Sequence, residues 1–321
     1  MISPAELAEL MADLESDRIE RTESTNNTDK FSQAVCAFAN DLPNHKQPGY
    51  LVIGVDKFGV PTGLDVTEKL LANARSFDTS PIRDAAMSDL SASLFQAYRQ
   101  EVIDPEVIEA NHRSLEDQLA SLRFYDSRHH VPTVAGLLLF GKNPRYYLPG
   151  AYIQFLRLPG TTLTERPDDE AEISGDLLSV LRELDARIKV NNITKPVAVS
   201  TLRETSLSAY PDVAIREIVL NAVMHRDYQS NTPIKLYWFT DRIEVHSPGG
   251  LYGEVTPSTL ESRSSYRNPV LAETMKALGY VNRYGYGIQR AQAAMAKNSS
   301  PAVQFEIDDR TVLAILPGKQ L

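Results

Sequence analysis

Three polar side chains stand four residues apart in an otherwise apolar stretch, REIVLNAVMHRDY at positions 216–228. They are Glu217, Asn221 and His225, and this spacing places them on one face of an α-helix. Asparagine offers a neutral oxygen to a divalent cation, and glutamate can orient an attacking water, as an ATPase requires. The simpler alternative is a helix face that pairs with polar neighbours.

Two glycine-containing segments follow at intervals along the chain. SPGG (247–250) comes after a predicted strand, and YGYG (284–287) comes before a predicted helix. Glycine lets backbone N–H groups approach a phosphate closely, above all at a helix N-terminus. Each pair alone is typical of a plain turn, whereas the ordered set indicates a phosphate site. Arg290, Lys276 or Arg283 could offset the phosphate charge, although cations on helices are usually solvated.

These residues need a framework of helices and strands to bring them together. Apolar periodicity and turn signals predict a helix over 211–226, a hairpin of strands 234–239 and 242–247, a helix over 269–278 and another from about 288. A second hairpin, VQFEI and TVLAILP, closes the chain, and Trp238 is expected in the core of the sheet. The order predicts an α+β sandwich with one antiparallel sheet covered by helices.

The motif order E-x-x-x-N-A, strand and glycine turn, covering loop, and G-x-G before a helix resembles that of GHKL-type ATPases. The resemblance covers about residues 205–316, and HRDY, SPGGL and RNPVLAE resemble the divergent RecG-like ATP-binding branch. It implies a Bergerat-type α/β sandwich that binds ATP and Mg²⁺. Glu217 would be the general base and Asn221 the magnesium ligand. The resemblance implies that the following residues line the nucleotide pocket: Gly249, Gly250, Gly285 and Gly287.

The resemblance does not assign a definite role to two residues of this pocket, His225 and Ser247. His225 matches the RecG-like branch and is included among the nucleotide-binding candidates. Ser247 occupies the place where GHKL proteins normally carry an aspartate that reads the adenine amino group. A serine hydroxyl can accept the same hydrogen bond, but more weakly than a carboxylate.

The N-terminal stretch resembles the Schlafen-type AlbA-like α/β domain. AFAN (37–40), LVIGVD (51–56), Gly59 and Gly63 carry this resemblance, and VPTVAGLLLFGKNPRYYLP (131–149) resembles a stretch that recurs in RecG-like proteins. The resemblance to the AlbA-like domain implies a lobe that binds either nucleic acid (DNA or RNA) or a protein partner.

Schlafen ribonucleases use three carboxylates in this domain, and the matching residues here are Glu15, Glu20 and Asp56. Three such groups could hold a divalent metal ion that activates water. Glutamates five apart on a helix and an aspartate at a strand end are also common without any catalytic role. A non-catalytic binding module is therefore preferred to the nuclease.

Composition limits the class of protein. The chain has 321 residues, one cysteine and a formal net charge of −9. This charge argues against coating nucleic acid through bulk charge but permits a local basic groove. One cysteine, Cys36, excludes an intrachain disulfide, and no signal peptide or membrane span is recognisable, so a cytoplasmic location is expected.

The sequence therefore predicts three parts: an AlbA-like lobe (1–125), a connecting α/β segment (126–204) and a GHKL-like ATP-binding domain (205–321). The main hypothesis is a homo-oligomeric regulator that binds ATP, with ATP hydrolysis left open. Nucleotide state would control nucleic-acid or partner binding in transcription or phage defence. One alternative is a nuclease gated by nucleotide. The other is a non-enzymatic assembly protein with a degenerate ATP pocket.

Overall fold

A computed structural model describes residues 6, 19–22, 50–63, 76–110, 112–253, 255–263, 265–281 and 286–319. Several of the predicted features, namely Glu15, Cys36, the AFAN segment, Arg283 and Gly285, lie outside these residues. Within the described residues the chain has an α+β fold, as expected.

Twelve strands and nine α-helices lie in the described ranges. The strands are β1 (Ile19–Thr22), β2 (Tyr50–Ile53), β3 (Tyr125–Asp126), β4 (Val131–Pro132), β5 (Tyr152–Arg157), β6 (Asp169–Ser174), β7 (Thr194–Ser200), β8 (Arg203–Ser208), β9 (Ile234–Trp238), β10 (Arg242–Pro248), β11 (Gln304–Ile307) and β12 (Thr311–Pro317). The helices are α1 (Ala92–Val102), α2 (Pro105–Ala110), α3 (Leu115–Ser121), α4 (Val134–Phe140), α5 (Pro144–Tyr147), α6 (Leu177–Asn191), α7 (Asp212–His225), α8 (Pro269–Ala277) and α9 (Gly287–Lys297).

The main element is a six-stranded sheet with the order β11-β12-β10-β9-β5-β6. The two predicted hairpins, β9–β10 and β11–β12, are confirmed, and β10 pairs with β12 in antiparallel register. The sheet also includes β5 and β6, which come from the stretch predicted to be a connecting segment. Strand β5 pairs with β9 in parallel, so the whole sheet is mixed.

One face of this sheet carries the hydrophobic core. Ile153, Leu236, Val245 and Leu316 alternate inward along four strands and are almost fully buried. Helix α7 packs on β10 and against α9, and α6 packs on β6. Trp238 is 2% exposed, which confirms its predicted place in the core. The sheet therefore holds α7 and α9 side by side.

The sequence predicts mostly helix over residues 79–125, but the described residues there are only partly helical. Residues 76–91 form two short 3₁₀ turns, and Pro81 and Leu90 make isolated β-bridges to Thr133 and Gly141. These long-range backbone contacts replace helical hydrogen bonds, and Pro81 has no N–H for a helix interior. The apolar run before Gly141 is α4, and all seven of its residues are buried.

At the N-terminus, β1 and β2 form a parallel two-stranded sheet in which Glu20 is in register with Leu51. The expectation that Glu20 lies on a helix with Glu15 is therefore wrong for Glu20. Residues 19–22 extend because their backbone pairs with a strand about 30 residues away in the chain, which local periodicity does not reveal. Among the helices of the described ranges, none combines the length and apolar character that a membrane crossing requires.

Candidate functional site

Helix α7 presents the three polar residues singled out from the sequence. Its apolar positions, such as Ile218 and Val223, are buried in the core, and Glu217 is 5% exposed. Glu217, Asn221 and His225 all line one cavity of about 270 Å³ between α7, α9, the end of β10 and the segment that follows it. The spacing of four thus places all three in one site, as expected from helical geometry.

The carboxylate of Glu217 is held by two arginines. Its Oε1 lies 2.8 Å from Nη2 of Arg216 and 2.8 Å from Nη1 of Arg290, which comes from α9. Its other oxygen lies beside Gly287, where an added Cβ would be 2.8 Å from Oε2. A side chain at this position would displace the carboxylate of Glu217, so Gly287 keeps the N-terminus of α9 close to it.

Asn221 has the geometry of a cation ligand. Its Nδ2 donates a hydrogen bond of 2.8 Å to the backbone carbonyl of Glu217, which leaves Oδ1 as the ligand atom. Across the described residues, no cluster of three or more histidine, cysteine or acidic side chains could hold a metal ion. A cation bound by Asn221 would therefore take its other ligands from phosphate and water, as Mg²⁺ commonly does. The residues present fit a nucleotide-bound Mg²⁺.

His225 lies at the C-terminal end of α7 and is electrically neutral near pH 7. Burial, which is the largest cause, and the positive charge of Arg267 together lower the pKa of its imidazole to about 4, against a backbone hydrogen bond with Ser265 that raises it. The imidazole stacks on Tyr266 at 5.5 Å between ring centroids and an angle of 14°. It contributes an uncharged aromatic wall to the cavity.

Ser247, at the end of β10, is 7% exposed and lines the same cavity. Its hydroxyl donates to the backbone carbonyl of Ala222 at 3.1 Å. The single hydroxyl proton is thus committed to α7, and only the oxygen lone pairs remain for a ligand. Ser247 is a hydrogen-bond acceptor in this pocket, as the aspartate of GHKL proteins is, but it is uncharged.

The glycine turn after Ser247 packs tightly against the end of α7. Gly249 has φ +96°, and an added Cβ would lie 2.8 Å from Cβ of Asp227. The N–H of Gly249 donates to Arg310 in the β11–β12 turn at 2.6 Å, and Asp227 donates to Pro248 at 2.7 Å. The segment is built as a close backbone approach rather than a plain surface turn. Gly250 and Gly287 also line the cavity.

The chain after the glycine turn covers the cavity. The residues Leu251, Tyr252, Val255, Leu260, Ser265 and Tyr266 line one side of it. Val245, Val312 and Ala314 of the sheet form an apolar floor. The cavity therefore has an apolar end near Ser247 and a polar end near Glu217, Asn221 and Arg290.

Three residues that tie this site to the rest of the molecule were not identified from the sequence. Arg267 donates to the carbonyls of His225 (3.1 Å) and Gly250 (2.8 Å). Asn268 donates to Met224 and Arg226, both at 2.9 Å. Asp78 accepts from Val270 and Leu271 at the start of α8. The RNP segment was a signal for the first two, since Pro269 marks a helix start, but nothing local indicates Asp78.

The arginine of HRDY is structural. Arg226 is 1% exposed and donates to the carbonyls of Gly150, Ser230 and Thr232. Tyr228 donates its hydroxyl to Val223 at 3.1 Å. The motif therefore ends α7 and fixes the loop before β9.

The described carboxylates of the predicted nuclease site are not assembled into a metal centre. One oxygen of Asp56 accepts the N–H groups of Phe58 and Val60 at 2.9 Å each, which closes the turn after β2. Glu20 lies on β1. The adjacent residues His129 and His130 lie in a turn, where His129 contacts Asp126 and His130 contacts Glu116 at about 3 Å.

Comparison with known proteins gives two family matches and a structural relative. Residues 231–316 match the family model described as "Putative ATP-dependent DNA helicase recG C-terminal". Residues 68–153 match a family described only as a domain of unknown function (DUF8451). A search of curated proteins finds no match.

Among solved structures, the DIP2311 protein from Corynebacterium diphtheriae is similar in fold, with a TM-score of 0.60 and 18% sequence identity. The similarity covers 98% of this chain and 80% of that one. At this identity it supports the α+β fold alone. The family match identifies the C-terminal part of this chain, residues 231–316, as an ATPase-like domain.

Proposed function

We propose that the C-terminal part of the chain, about residues 205–321, binds ATP with Mg²⁺ in the cavity on α7. The observation that carries the proposal is the convergence of a carboxylate, an amide oxygen, a hydroxyl acceptor and a glycine turn on one cavity of about 270 Å³. Ligand pockets of this kind combine apolar walls with a few polar groups that fix orientation. The apolar end suits a base, and the polar end suits phosphates.

The state of Ser247 favours adenine over guanine. Because its proton is donated to Ala222, the hydroxyl can only accept a hydrogen bond from a ligand. Adenine carries an amino donor on its six-membered ring where guanine carries a carbonyl acceptor. A carbonyl facing Ser247 would place two acceptors together, so ATP is the expected ligand rather than GTP.

The polar end suits triphosphate binding and hydrolysis. Asn221 would hold Mg²⁺ through Oδ1, and the ion would supply positive charge that offsets the charge of the phosphates. Glu217 lies one turn earlier on α7, where its carboxylate can orient a water molecule and accept its proton. Gly287 lines the cavity beside Glu217 and Asn221, where the first N–H groups of α9 could approach a phosphate.

A conformational change on nucleotide binding would be transmitted to the N-terminal part of the chain through α8. The covering segment ends at Arg267 and Asn268, which bind the C-terminal end of α7, and α8 follows at once. Asp78 then receives the first N–H groups of α8, and Arg123 pairs with Glu273 at 3.0 Å. A shift of the covering segment on ATP would thus be passed to residues 76–140. A nucleic-acid or protein partner bound there would sense it, as a regulator in transcription or defence requires.

The test is calorimetric titration of ATP with Mg²⁺ into the wild type and Asn221→Ala. The wild type should bind ATP, and the variant should bind it at least about 100-fold more weakly. Even mutation of a residue that only hydrogen-bonds to a metal ligand lowers metal affinity or activity 10–100-fold. Asn191→Ala is the matched control. Asn191 makes the same hydrogen bond to the carbonyl four residues earlier, Arg187, at 2.9 Å, but on α6 and away from the cavity.

Wild-type binding that Asn191→Ala preserves and Asn221→Ala abolishes would support the proposal. No wild-type binding at millimolar ATP would refute it and favour a degenerate pocket. Equal losses in both variants would indicate a helix-stability effect instead of a cation site.

A further inference from the structure

The contact between Arg290 and Glu217 is the feature of the cavity that nucleotide binding alone does not explain. Two guanidinium groups share Oε1 of Glu217, at 2.8 Å each. Arg216 forms a hydrogen bond with it from the same helix. Arg290 reaches it across the cavity from α9, and of the two arginines only Arg290 lines the cavity.

The two contacts differ in quality. Nη1 of Arg290 is buried, and no acceptor in the described ranges meets it with hydrogen-bond geometry. It is close to Oε1 in distance, but its N–H groups are not directed at that oxygen. A buried guanidinium nitrogen without an acceptor is costly, and it lies where an anionic ligand could supply the missing acceptor.

The crowded oxygen also affects the chemistry proposed for Glu217. Oε1 of Glu217 accepts a hydrogen bond from Arg216 and lies 2.8 Å from Nη1 of Arg290, so the two guanidinium groups occupy the space through which a water molecule would approach this oxygen. Hydrolysis requires the water oxygen to attack the terminal phosphorus as its bond to the bridging oxygen breaks. The electron pair then leaves with ADP, and the water proton passes to Glu217. The arrangement seen here therefore restricts the approach of that water to Oε1.

We propose that Arg290 recognises the terminal phosphate of the bound nucleotide, and that this contact releases Glu217. A general base must lie within one water of the attacked phosphorus, so a guanidinium touching Glu217 is within reach of that phosphate. The doubly charged phosphate offers a bidentate acceptor that matches the guanidinium. ADP lacks this group and would leave Arg290 on Glu217. Arg290 thus makes the site selective for triphosphate, and the inference rests on the proposed function.

The experiment measures the ratio of ATP to ADP affinity, with Mg²⁺, in the wild type, Arg290→Ala, Arg290→Lys and the matched control Arg216→Ala. The wild type should prefer ATP. Arg290→Ala should reduce the ratio of ATP to ADP affinity about tenfold or more, because hydrogen bonds between charged groups contribute more free energy than neutral ones. Arg290→Lys should keep part of it through charge alone. Arg216→Ala removes a guanidinium from the same oxygen and should keep the wild-type ratio.

The outcomes distinguish failure of the role proposed for Arg290 from failure of the proposed nucleotide site. If the wild type binds ATP and ADP but Arg290→Ala leaves their ratio unchanged, the role of Arg290 is refuted and the nucleotide site stands. If Arg216→Ala lowers the ratio as much as Arg290→Ala does, the effect belongs to the charge around Glu217 and the phosphate contact is refuted. If the wild type binds neither nucleotide, the proposed function fails and the inference with it.

Discussion

Replacing Ser247 by alanine tests how the apolar end of the cavity selects its base. The side chain is 7% exposed, and its hydroxyl donates a hydrogen bond of 3.1 Å to the carbonyl of Ala222. That carbonyl also accepts from Arg226 at 3.1 Å, so it keeps a partner in the variant. The cost to the free energy of unfolding should therefore be modest, about 1 kcal/mol.

The effect on binding should be larger. Without the hydroxyl, the amino group of adenine would enter a buried site with no acceptor, which costs about 1–3 kcal/mol. This corresponds to about 5- to 150-fold weaker binding of ATP. GTP gains from the same change, because the clash between its carbonyl and the serine oxygen is removed. The ratio of ATP to GTP affinity should therefore fall by at least the loss seen for ATP.

The assay is competitive binding of ATP and GTP at fixed Mg²⁺, with a denaturation curve for each variant. Thr274→Val is the control, since Thr274 is 3% exposed and donates to Val270 at 2.8 Å on α8, away from the cavity. It should lower stability by a similar amount and keep the nucleotide ratio. An unchanged ATP-to-GTP ratio in Ser247→Ala would show that the hydroxyl does not read the base.

Three further predictions concern stability and pH. Gly249→Ala and Gly279→Ala both place alanine at positive φ (+96° and +73°), but only the former has a close neighbour for its Cβ. Urea denaturation should show a loss of about 1 kcal/mol for Gly279→Ala and about 1–3 kcal/mol more for Gly249→Ala; equal losses would contradict the packing argument. The pKa of His225 is lowered to about 4 from 6.5, so the unfolded chain binds its proton first as the pH falls. The free energy of unfolding should drop by about 2–3 kcal/mol between pH 7 and 4.5, and His225→Asn should lack that part of the drop. Asp78→Ala should cost about 2 kcal/mol by freeing two buried N–H groups of α8, whereas Asp78→Asn, which keeps an acceptor, should cost less in the same assay.

The sequence alone was sufficient for features that depend on local periodicity. The spacing of Glu217, Asn221 and His225 placed them on one face of α7, because a helix repeats every 3.6 residues whatever surrounds it. Both C-terminal hairpins were predicted from alternation and turn residues, since their partner strands are neighbours in the chain. These elements supply the α7 side and the sheet side of the cavity.

Tertiary structure decided what depends on distant pairing. The main sheet includes β5 and β6 because Ile153 aligns with Ile234, which is 81 positions away in the chain. Glu20 lies on a strand because its partner is Leu51. Such pairings depend on which exposed backbone edge a segment meets, and no window of sequence contains that information.

The same division applies within the site. The sequence named Glu217 and Ser247, but their chemical state comes from side chains and carbonyls brought together by folding. Arg290 is 73 positions from Glu217, and Ser247 becomes an acceptor only because the carbonyl of Ala222 takes its proton. Residue type sets which bonds a side chain can make, while the packing of α7 against α9 and β10 decides which of them it makes.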